Sequence, residues 1–281
     1  MNNYELKISV LVDNYVTIPG LKAEHGLSIL IETGLHKILF DCGQSSLLIE
    51  NAKKLNLGLM DLDKIVLSHG HYDHTGGLAS LLEYIGKEIE IYAHTDIFDK
   101  KYSRKGNEKP KYIGIPESKS FYEKLGAKFI LTKNPLEICK DVLLTGEITT
   151  RIKDFETTEN YFYKEVEKEL VKDEILDDIS VLINTKEGMV LITGCAHRGL
   201  INIIEHIKAT IGKDKFRYII GGFHLSGKSN DYILNTINRL KEYDISNIAP
   251  AHCTGRSEAC RLMDSFGSKC NMAKTGLEII L

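Results

Sequence analysis

One short stretch decides how this chain is interpreted: Ser68-His69-Gly70-His71-Tyr72-Asp73-His74-Thr75-Gly76-Gly77. It places four potential metal ligands within six residues. The apolar run before it, Ile65 to Leu67, predicts a buried strand, and the segment from Gly76 to Leu82 predicts the start of a helix. The ligands are therefore expected on the turn between a strand and a helix, where the glycines let the backbone pass close to bound ions.

The ligand types predict a site for two divalent ions. In extended backbone, His69 and His71 point the same way, whereas Asp73 and His74 project from the turn towards a second point. Imidazole nitrogen suits zinc, iron or manganese, and a carboxylate adds charge that holds a second ion. We expect zinc, with iron or manganese as the alternatives. Ordinary turn residues are the competing interpretation, and the clustering of four ligands with glycines argues against it.

The pattern His-x-His-x-Asp-His resembles the signature of the metallo-β-lactamase superfamily. Further stretches are similar to one branch of it, the 7,8-dihydropterin-6-methyl-4-(β-D-ribofuranosyl)aminobenzene-5′-phosphate synthases. These stretches are Leu39–Ser45, Thr145–Ile148, Gly194–Gly199, Gly221–Leu225 and His252–Gly255. The resemblance covers most of the chain and implies the α/β fold of this superfamily, a four-layered αββα sandwich. The order of predicted strands and helices alone would indicate only a mixed α/β protein.

The resemblance also implies which residues bind the two ions. One ion would be bound by His69, His71 and His197, and the other by Asp73, His74 and His252. The chain departs from the family where most relatives have a bridging aspartate after glycine, because Gly194-Cys195 stands there, and Leu176-Asp177-Asp178 contains no histidine. His197 could therefore take the vacant histidine role. The candidates to complete the bridge are Cys195, Asp178 and His224.

Several of these candidates have ordinary alternatives. Asp41 follows the predicted strand from Lys37 to Phe40, and the resemblance implies that it accepts a hydrogen bond from a ligand histidine. A turn aspartate is the alternative. Cys195 could meet a metal as a thiolate, and a small buried hydrophobic residue is the alternative. Three later predicted strands are each followed by residues of ligand type: Met189–Thr193, Tyr218–Gly222 and Asn247–Ala249.

The resemblance implies a metal-dependent hydrolase or synthase with Asp73 as a catalytic residue. Synthase chemistry would use the ions to neutralise a departing diphosphate while an arylamine or a ring carbon attacks a pterin-methyl carbon. One alternative is a generic metal-dependent hydrolase of phosphodiesters, phosphomonoesters or lactones. The other is a non-catalytic protein that senses a ligand or binds a partner on the same fold. The presence of both Asp73 and His74 argues against the last alternative.

A basic loop is predicted near residues 99–115, because lysine, arginine and tyrosine concentrate there without an apolar period. We expect this loop to bind the phosphate of a small anionic substrate through Arg104, Lys105, Tyr102 and Tyr112. A solvated surface loop is the alternative. A second charged run near residues 151–178 has the mixed signs of an exposed helix or hairpin arm.

Length and composition limit the remaining possibilities. The 281 residues, of which 43% are apolar, are expected to form a single domain over 1–281. A net charge of −3 provides no general attraction to nucleic acid. The chain has neither an apolar leader nor a run long enough to cross a bilayer, so we expect a cytoplasmic protein with no nucleic-acid or membrane partner. A homo-oligomer is left open.

Overall fold

In the computed structural model, which describes residues 6–157 and 161–281, short apolar runs form strands and amphipathic segments form helices. The first strands are β1 Leu6–Val12, β2 Ser28–Thr33, β3 Lys37–Phe40, β4 Lys64–Val66, β5 Ile89–Ala93, β6 Lys101–Ser103, β7 Lys111–Tyr112, β8 Ala127–Leu131 and β9 Leu136–Cys139. The later strands are β10 Val142–Leu144, β11 Phe162–Val166, β12 Glu169–Lys172, β13 Val181–Thr185, β14 Gly188–Thr193, β15 Lys215–Gly222, β16 Asp244–Ile245, β17 Ile248–Ala251 and β18 Glu278–Ile280.

The helices follow the apolar stripes seen in the sequence. They are α1 Leu47–Lys54, α2 Tyr72–Thr75, α3 Leu78–Ile85, α4 Lys119–Lys124, α5 Leu200–Ile211, α6 Asn230–Leu240 and α7 Arg256–Phe266. Within the described residues, no helix combines the length and the hydropathy needed to cross a bilayer. Two expectations from the sequence fall partly outside the described residues: the absence of a leader, over the first five residues, and the charged arm, over residues 158–160.

The backbone contacts divide the chain into two compact units. The first comprises Met1–Thr132, Glu159–Asp177 and Lys274–Leu281, and the second comprises Lys133–Thr158 and Asp178–Ala273. Each unit has its own sheet and its own apolar core. The expectation of a single domain over residues 1–281 stays a prediction.

The main sheet of the first unit has the strand order β18-β1-β2-β3-β4-β5-β8. Strands β1 to β3 are antiparallel, as the absence of helices between them predicted, and β3, β4, β5 and β8 are parallel. Phe40 pairs with Val66, and Val66 pairs with Tyr92. Because neighbouring parallel strands end at the same edge of a sheet, the residues that follow β3, β4 and β5 meet at that edge. Helices α1 and α3 contribute Leu48 and Leu82 to the core beneath it.

A small sheet with the order β12-β11-β6-β7 also belongs to the first unit. It corrects the prediction of an irregular basic loop, because β6 and β7 pair with each other on either side of residues 104–110 and β6 also pairs with β11. The described part of the charged arm contains the β11–β12 hairpin, so of the two predicted forms, a helix or a hairpin, the structure shows the hairpin. Local pattern could not reveal this sheet, since Lys101 pairs with Lys164, far away in the sequence.

The sheet of the second unit has the order β16-β15-β14-β13-β10-β9, with β17 also paired to β15. Strands β14, β15 and β17 are parallel, so Thr193, Gly222 and Ala251 bring three strand ends to one edge. Helices α5 and α6 bury their apolar faces in the core of this unit, with Ile203 and Ile237 among the buried side chains. Each strand end is followed by residues of ligand type, as the sequence predicted.

Candidate metal centre

The histidine loop, residues 68–77, connects the end of β4 to α3 at the parallel edge of the first unit. His71 is extended, and Asp73 and His74 lie on the single helical turn that begins directly after it. This turn places the four predicted ligands side by side. His69 Nε2 lies 3.0 Å from His71 Nδ1, the His69 and His74 rings are 4.3 Å apart, and Asp73 Oδ2 lies 3.8 Å from His74 Nε2.

The carboxylate of Asp41, fully buried after β3, is the hydrogen-bond acceptor on which this loop is held. Its Oδ1 accepts from the Ser68 amide at 2.7 Å. Its Oδ2 accepts from the Ser68 hydroxyl at 2.7 Å and from His74 Nδ1 at 2.6 Å. Asp41 thus contacts His74, one of the predicted ligand histidines. The effect of this contact on a bound ion stays a prediction.

These hydrogen bonds fix the tautomers of two histidines. A carboxylate only accepts, so His74 must carry a proton on Nδ1, and the lone pair of its neutral ring is on Nε2. The Ser68 hydroxyl donates its only proton to Asp41. It therefore accepts a hydrogen bond from His69 Nδ1, which lies 2.9 Å away. His69 Nε2 is then unprotonated and faces His71. One carboxylate in this way presents the Nε2 lone pairs of both histidines.

Burial keeps the first two histidines neutral. Desolvation lowers the pKa of His71 to about 3, a shift that the negative charge of Asp73 opposes. Desolvation also lowers the pKa of His69 well below its ordinary value, and the neighbouring His74 and His71 add to this effect. A neutral imidazole has a lone pair for a metal, whereas an imidazolium has none. Both rings are therefore in the charge state that metal binding requires.

The donor set fits a divalent ion. Two nitrogens bound to one tetrahedral zinc ion, each at about 2.0 to 2.1 Å, lie roughly 3.4 Å apart, and the two facing nitrogens of His69 and His71 are at about that spacing. Asp73 and His74 add an oxygen and a nitrogen beside them. Three imidazoles with one carboxylate are borderline ligands that suit zinc, iron or manganese. His69 and His71 would hold one ion, and Asp73 and His74 would offer ligands to a second.

The small sheet contacts the histidine loop through Lys101. This side chain lies within the predicted basic loop near residues 99–115 but is 1% exposed, unlike a cation of a solvated loop. Its Nζ lies 2.9 Å from Asp173 Oδ2 and 2.8 Å from Asp177 Oδ1. The other oxygen of Asp177 accepts from the Gly70 amide at 2.8 Å. Two buried carboxylates offset the desolvation of the ammonium and raise its pKa above the usual value, so Lys101 stays charged.

The predicted substrate residues lie on and beside this sheet, but not all on one face. Tyr102 pairs with both Tyr112 and Tyr163, whereas Phe162 pairs with Ser103. Because side chains alternate along a strand, Tyr102 and Tyr112 lie on the opposite face from Lys101 and Phe162. The Phe162 ring lies 5.2 Å from the His71 ring. The face that meets the histidine loop is therefore not the face of the two predicted tyrosines.

The two predicted cations, Arg104 and Lys105, are each held over an aromatic ring. The Arg104 guanidinium lies 4.4 Å from the centre of the Tyr163 ring, and Lys105 Nζ lies 5.5 Å from that of Tyr161. The Arg104 amide donates to the Tyr161 carbonyl at 2.8 Å. Arg104 Nε is buried and has no hydrogen-bond partner among the described residues. These contacts orient both cations before any ligand arrives.

The predicted residues of the second unit form two overlapping groups at its parallel edge. One ligand atom from each of Cys195, His197 and His224 lies within 4.8 Å of the others, and the same holds for Cys195, His252 and Cys253. The Cys253 thiol donates to the Cys195 carbonyl at 3.4 Å. Asp178, which is 1% exposed, accepts from the Arg198 amide at 3.3 Å, directly beside His197. Both cysteine and aspartate candidates thus adjoin the predicted histidine.

The backbone is strained at these strand ends. The residues that adopt the left-handed conformation at or just after these strand ends, although they are not glycine, include Asp41 (φ 61°), Ala196 (φ 55°), His224 (φ 48°) and His252 (φ 46°). Such conformations cost about 1 to 3 kcal/mol each and persist only where the surrounding structure determines them. At Gly222, a side chain would bring its Cβ within 2.6 Å of Cys253 Sγ. The close packing of strand ends therefore fixes where the candidate ligands point.

Some functional residues were not anticipated from the sequence. Ser68 belongs to the motif but was given no role, although its hydroxyl connects Asp41 to His69. His25 lies outside any motif, yet its Nε2 is 3.1 Å from Asp73 Oδ2. Asp177 was noted only for the lack of a histidine beside it. No sequence signal marks His25, whereas the adjacent aspartates Asp177 and Asp178, shortly before β13, could have been considered as two separate hydrogen-bond acceptors.

Comparison with known proteins identifies the family. Residues 21–152 match the metallo-beta-lactamase superfamily. A 7,8-dihydropterin-6-methyl-4-(beta-D-ribofuranosyl)-aminobenzene-5′-phosphate synthase of Methanocaldococcus jannaschii is 33% identical over 273 residues, which are 93% of this chain and 92% of that protein. The chain belongs to the metallo-β-lactamase superfamily. The family resemblance seen in the sequence is confirmed.

Two further proteins extend the comparison of this superfamily member. An uncharacterised protein of the same organism is 37% identical over 248 residues, 88% of this chain and 90% of that protein. The crystal structure of a metal-dependent hydrolase of the β-lactamase superfamily has a TM-score of 0.82 and 29% identity, and the match covers 98% of this chain and 99% of that one. The predicted metallo-β-lactamase fold is confirmed. The roles of individual ligands stay predictions.

Replacement of Asp41 tests the hydrogen-bonded support of the histidine loop. Asp41→Asn tolerates the left-handed backbone but offers one acceptor oxygen, so either the Ser68 amide or His74 must face an NH₂ group. Zinc affinity, measured by competition with a chromophoric chelator, should fall by about 10- to 100-fold. Asp61→Asn is the control, because Asp61 is 67% exposed and pairs with Lys37 away from this loop. Wild-type zinc affinity in Asp41→Asn would contradict the assignment.

Proposed function

We propose that this protein is a divalent-metal-dependent enzyme that acts on a phosphorylated or diphosphate-bearing small molecule, with the reaction type of the M. jannaschii synthase that it resembles. The observation that supports this most strongly is the cluster of three buried imidazoles and Asp73 on one loop, with the tautomers of two rings set by Asp41. Similarity to the named synthase over nearly the whole chain supports the substrate class.

The proposed ligands keep the assignment made from the sequence. One ion takes His69, His71 and His197, and the other takes Asp73, His74 and His252. When bound, a pair of divalent ions supplies Lewis acidity and neutralises the charge on phosphate oxygens. Zinc is the metal we propose first, because imidazole dominates the donor set. Cys195, Asp178 and His224 are the candidates for the residue that bridges the two ions.

In the proposed reaction, the bond between the pterin-methyl carbon and diphosphate breaks, and the diphosphate leaves with the electron pair. A bond forms between that carbon and the amine nitrogen or a ring carbon of the ribosylated aminobenzene. The proton lost by the attacking group passes to a carboxylate oxygen of Asp73. His25, 3.1 Å from that carboxylate and more than half exposed, offers a path for the proton to solvent.

The substrate would be held by the small sheet. Arg104 and Lys105, already oriented over aromatic rings, offer donors to a phosphate, and the buried Nε of Arg104 is a donor that an anion can satisfy. Phe162, beside His71, offers an aromatic face to a planar ring. Tyr102 and Tyr112 lie on the other face of the sheet, the face of the Tyr163 ring under Arg104, and stay candidates for a ring contact beside the two cations.

A metal-dependent hydrolase is the second candidate. The observation that favours it is the structural match to a metal-dependent hydrolase with a TM-score of 0.82 and 29% identity over 98% of this chain. The same donors would then hold a phosphodiester, a phosphomonoester or a lactone, and water would replace the arylamine as the attacking group. The two candidates differ in the product, which separates them by experiment.

The function is tested by metal analysis together with an activity screen. Protein prepared without chelator should contain roughly two divalent ions per chain, as paired sites require. It should join a pterin-methyl diphosphate to 4-(β-D-ribofuranosyl)aminobenzene-5′-phosphate and release diphosphate only when both compounds are present. Faster hydrolysis of bis(p-nitrophenyl) phosphate, p-nitrophenyl phosphate or a lactone, without a joined product, would favour the hydrolase. Bound metal without any turnover would favour a sensing protein.

Ligand variants connect the metal to the activity. His71→Ala and Asp73→Ala should each fold, bind less metal and lose at least about 100-fold in kcat/KM. His36→Ala is the matched control, because His36 lies on the β2–β3 turn beside Asp63 and should change neither property. Metal content is measured by elemental analysis and folding by circular dichroism. Full metal content and full turnover in either ligand variant would refute the assignment of that residue.

The phosphate-binding role of the cations is tested separately. Arg104→Ala combined with Lys105→Ala removes contacts to a charged group that are worth ~1.5 to 3 kcal/mol each, so binding should weaken by at least about tenfold. The probe is 4-(β-D-ribofuranosyl)aminobenzene-5′-phosphate, followed by calorimetry, and its dephosphorylated analogue should bind both proteins equally. Lys109→Ala with Lys111→Ala, which removes two exposed cations, is the control. If the double variant changed the binding of both compounds equally and only slightly, Arg104 and Lys105 would be solvated surface residues without a role in phosphate binding.

A further inference from the structure

The ion-pair group Lys101, Asp173 and Asp177 has no part in the binding and chemistry described above. All three side chains are at most 5% exposed. Removing two carboxylates and an ammonium from water is costly unless every one of them is paired and hydrogen-bonded. That requirement is met: Lys101 contacts both carboxylates, the Ile175 amide donates to Asp173 at 2.8 Å, and the Gly70 amide donates to Asp177 at 2.8 Å.

The hydrogen bond from the Gly70 amide to Asp177 connects the ion-pair group directly to the histidine loop. Gly70 lies between His69 and His71 in the chain. The position of its amide therefore determines the backbone positions from which both histidine side chains project. A Cβ on Gly70 would lie 2.4 Å from the Ile97 carbonyl, 3.2 Å from Lys101 Cε and 3.3 Å from Asp177 Oδ2. A side chain at position 70 would therefore meet both Lys101 and Asp177, so these two residues lie close around the glycine.

A second contact runs from the same region to the other side of His71. The Tyr72 amide donates to the Ile113 carbonyl at 2.9 Å, and the Ile113 amide donates to the Lys101 carbonyl at 2.9 Å. The amides of the residues before and after His71 thus both connect to Lys101, one through Asp177 and one through Ile113. The first connection runs through the Lys101 ammonium and the second through its backbone carbonyl, so only the first depends on the ion-pair group.

We propose that Lys101 and Asp177 are positioning residues that hold the backbone around His71 in the geometry for metal binding, a role that rests on the proposed metal-dependent function. Lys101 acts through Asp177, and Asp177 acts through the Gly70 amide. Asp173 completes the charge pairing of Lys101, and its carboxylate bonds to Lys101 and the Ile175 amide rather than to the histidine loop. The two aspartates are therefore a natural matched pair.

Asp177→Asn and Asp173→Asn test this role. Each variant removes one buried negative charge next to Lys101, so both should lower the melting temperature to a similar extent. Only Asp177→Asn disturbs the acceptor of the Gly70 amide. Its zinc affinity, measured by chelator competition, should fall by about 10- to 100-fold, whereas that of Asp173→Asn should stay within about threefold of the wild type. Asp177→Glu keeps the charge but changes the reach of the carboxylate, and it should also bind zinc at least about tenfold more weakly.

The outcomes separate this proposal from the proposed function. Wild-type zinc affinity in Asp177→Asn, or equal losses in the two asparagine variants, would overturn the positioning role and leave the metal-dependent function standing. If Asp177→Asn does not fold, Asp177→Glu decides, and wild-type affinity in that variant would overturn the proposal. If the wild type binds no divalent ion, both the function and the positioning role are refuted.

Discussion

The carboxylate of Asp41 is the constraint on which the candidate centre depends. Three donors converge on its two oxygens, and each donor belongs to the histidine loop. Because a carboxylate can only accept, these bonds decide which nitrogen of His74 is protonated and, through the Ser68 hydroxyl, which nitrogen of His69 is protonated. A single buried carboxylate thus fixes the tautomers of His69 and His74, so that the lone pair of each ring is on Nε2. The sheet register that places Asp41 next to the end of β4 is a precondition for this arrangement.

The fold provides the rigidity that such a site needs. Asp41 follows β3 and the histidine loop follows β4, two neighbouring parallel strands with Phe40 paired to Val66. In the second unit, the residues that follow β14, β15 and β17 are brought to one edge in the same way. Left-handed backbone at Asp41, Ala196, His224 and His252 turns the chain sharply at these ends. The strain costs stability, and the tightly packed cores beneath each sheet offset it.

Much of this arrangement could be predicted from the sequence. The apolar residues of β4, β14 and β15 are short runs, so these strands were predicted together with the residues of ligand type that follow them. The small sheet was missed because its pairs, such as Lys101 with Lys164, join distant segments whose local composition is that of a solvated loop. The burial of Lys101 was missed for the same reason: a lysine in a charged run is usually exposed, and its two partners lie more than 70 residues away. Family resemblance supplied the ligand roles, which no periodicity could have indicated.

The protein holds the histidine loop in place before any metal binds, and amide hydrogen exchange tests this most directly. The Ser68 amide donates to Asp41 and the Gly70 amide donates to Asp177, both fully or almost fully buried. In metal-free protein, exchange at these two amides, followed by nuclear magnetic resonance, should be as slow as at the amides of β4. If they exchange as fast as an exposed turn and become protected only when zinc is added, then the metal orders the loop, and Asp41 and Asp177 do not hold it in place.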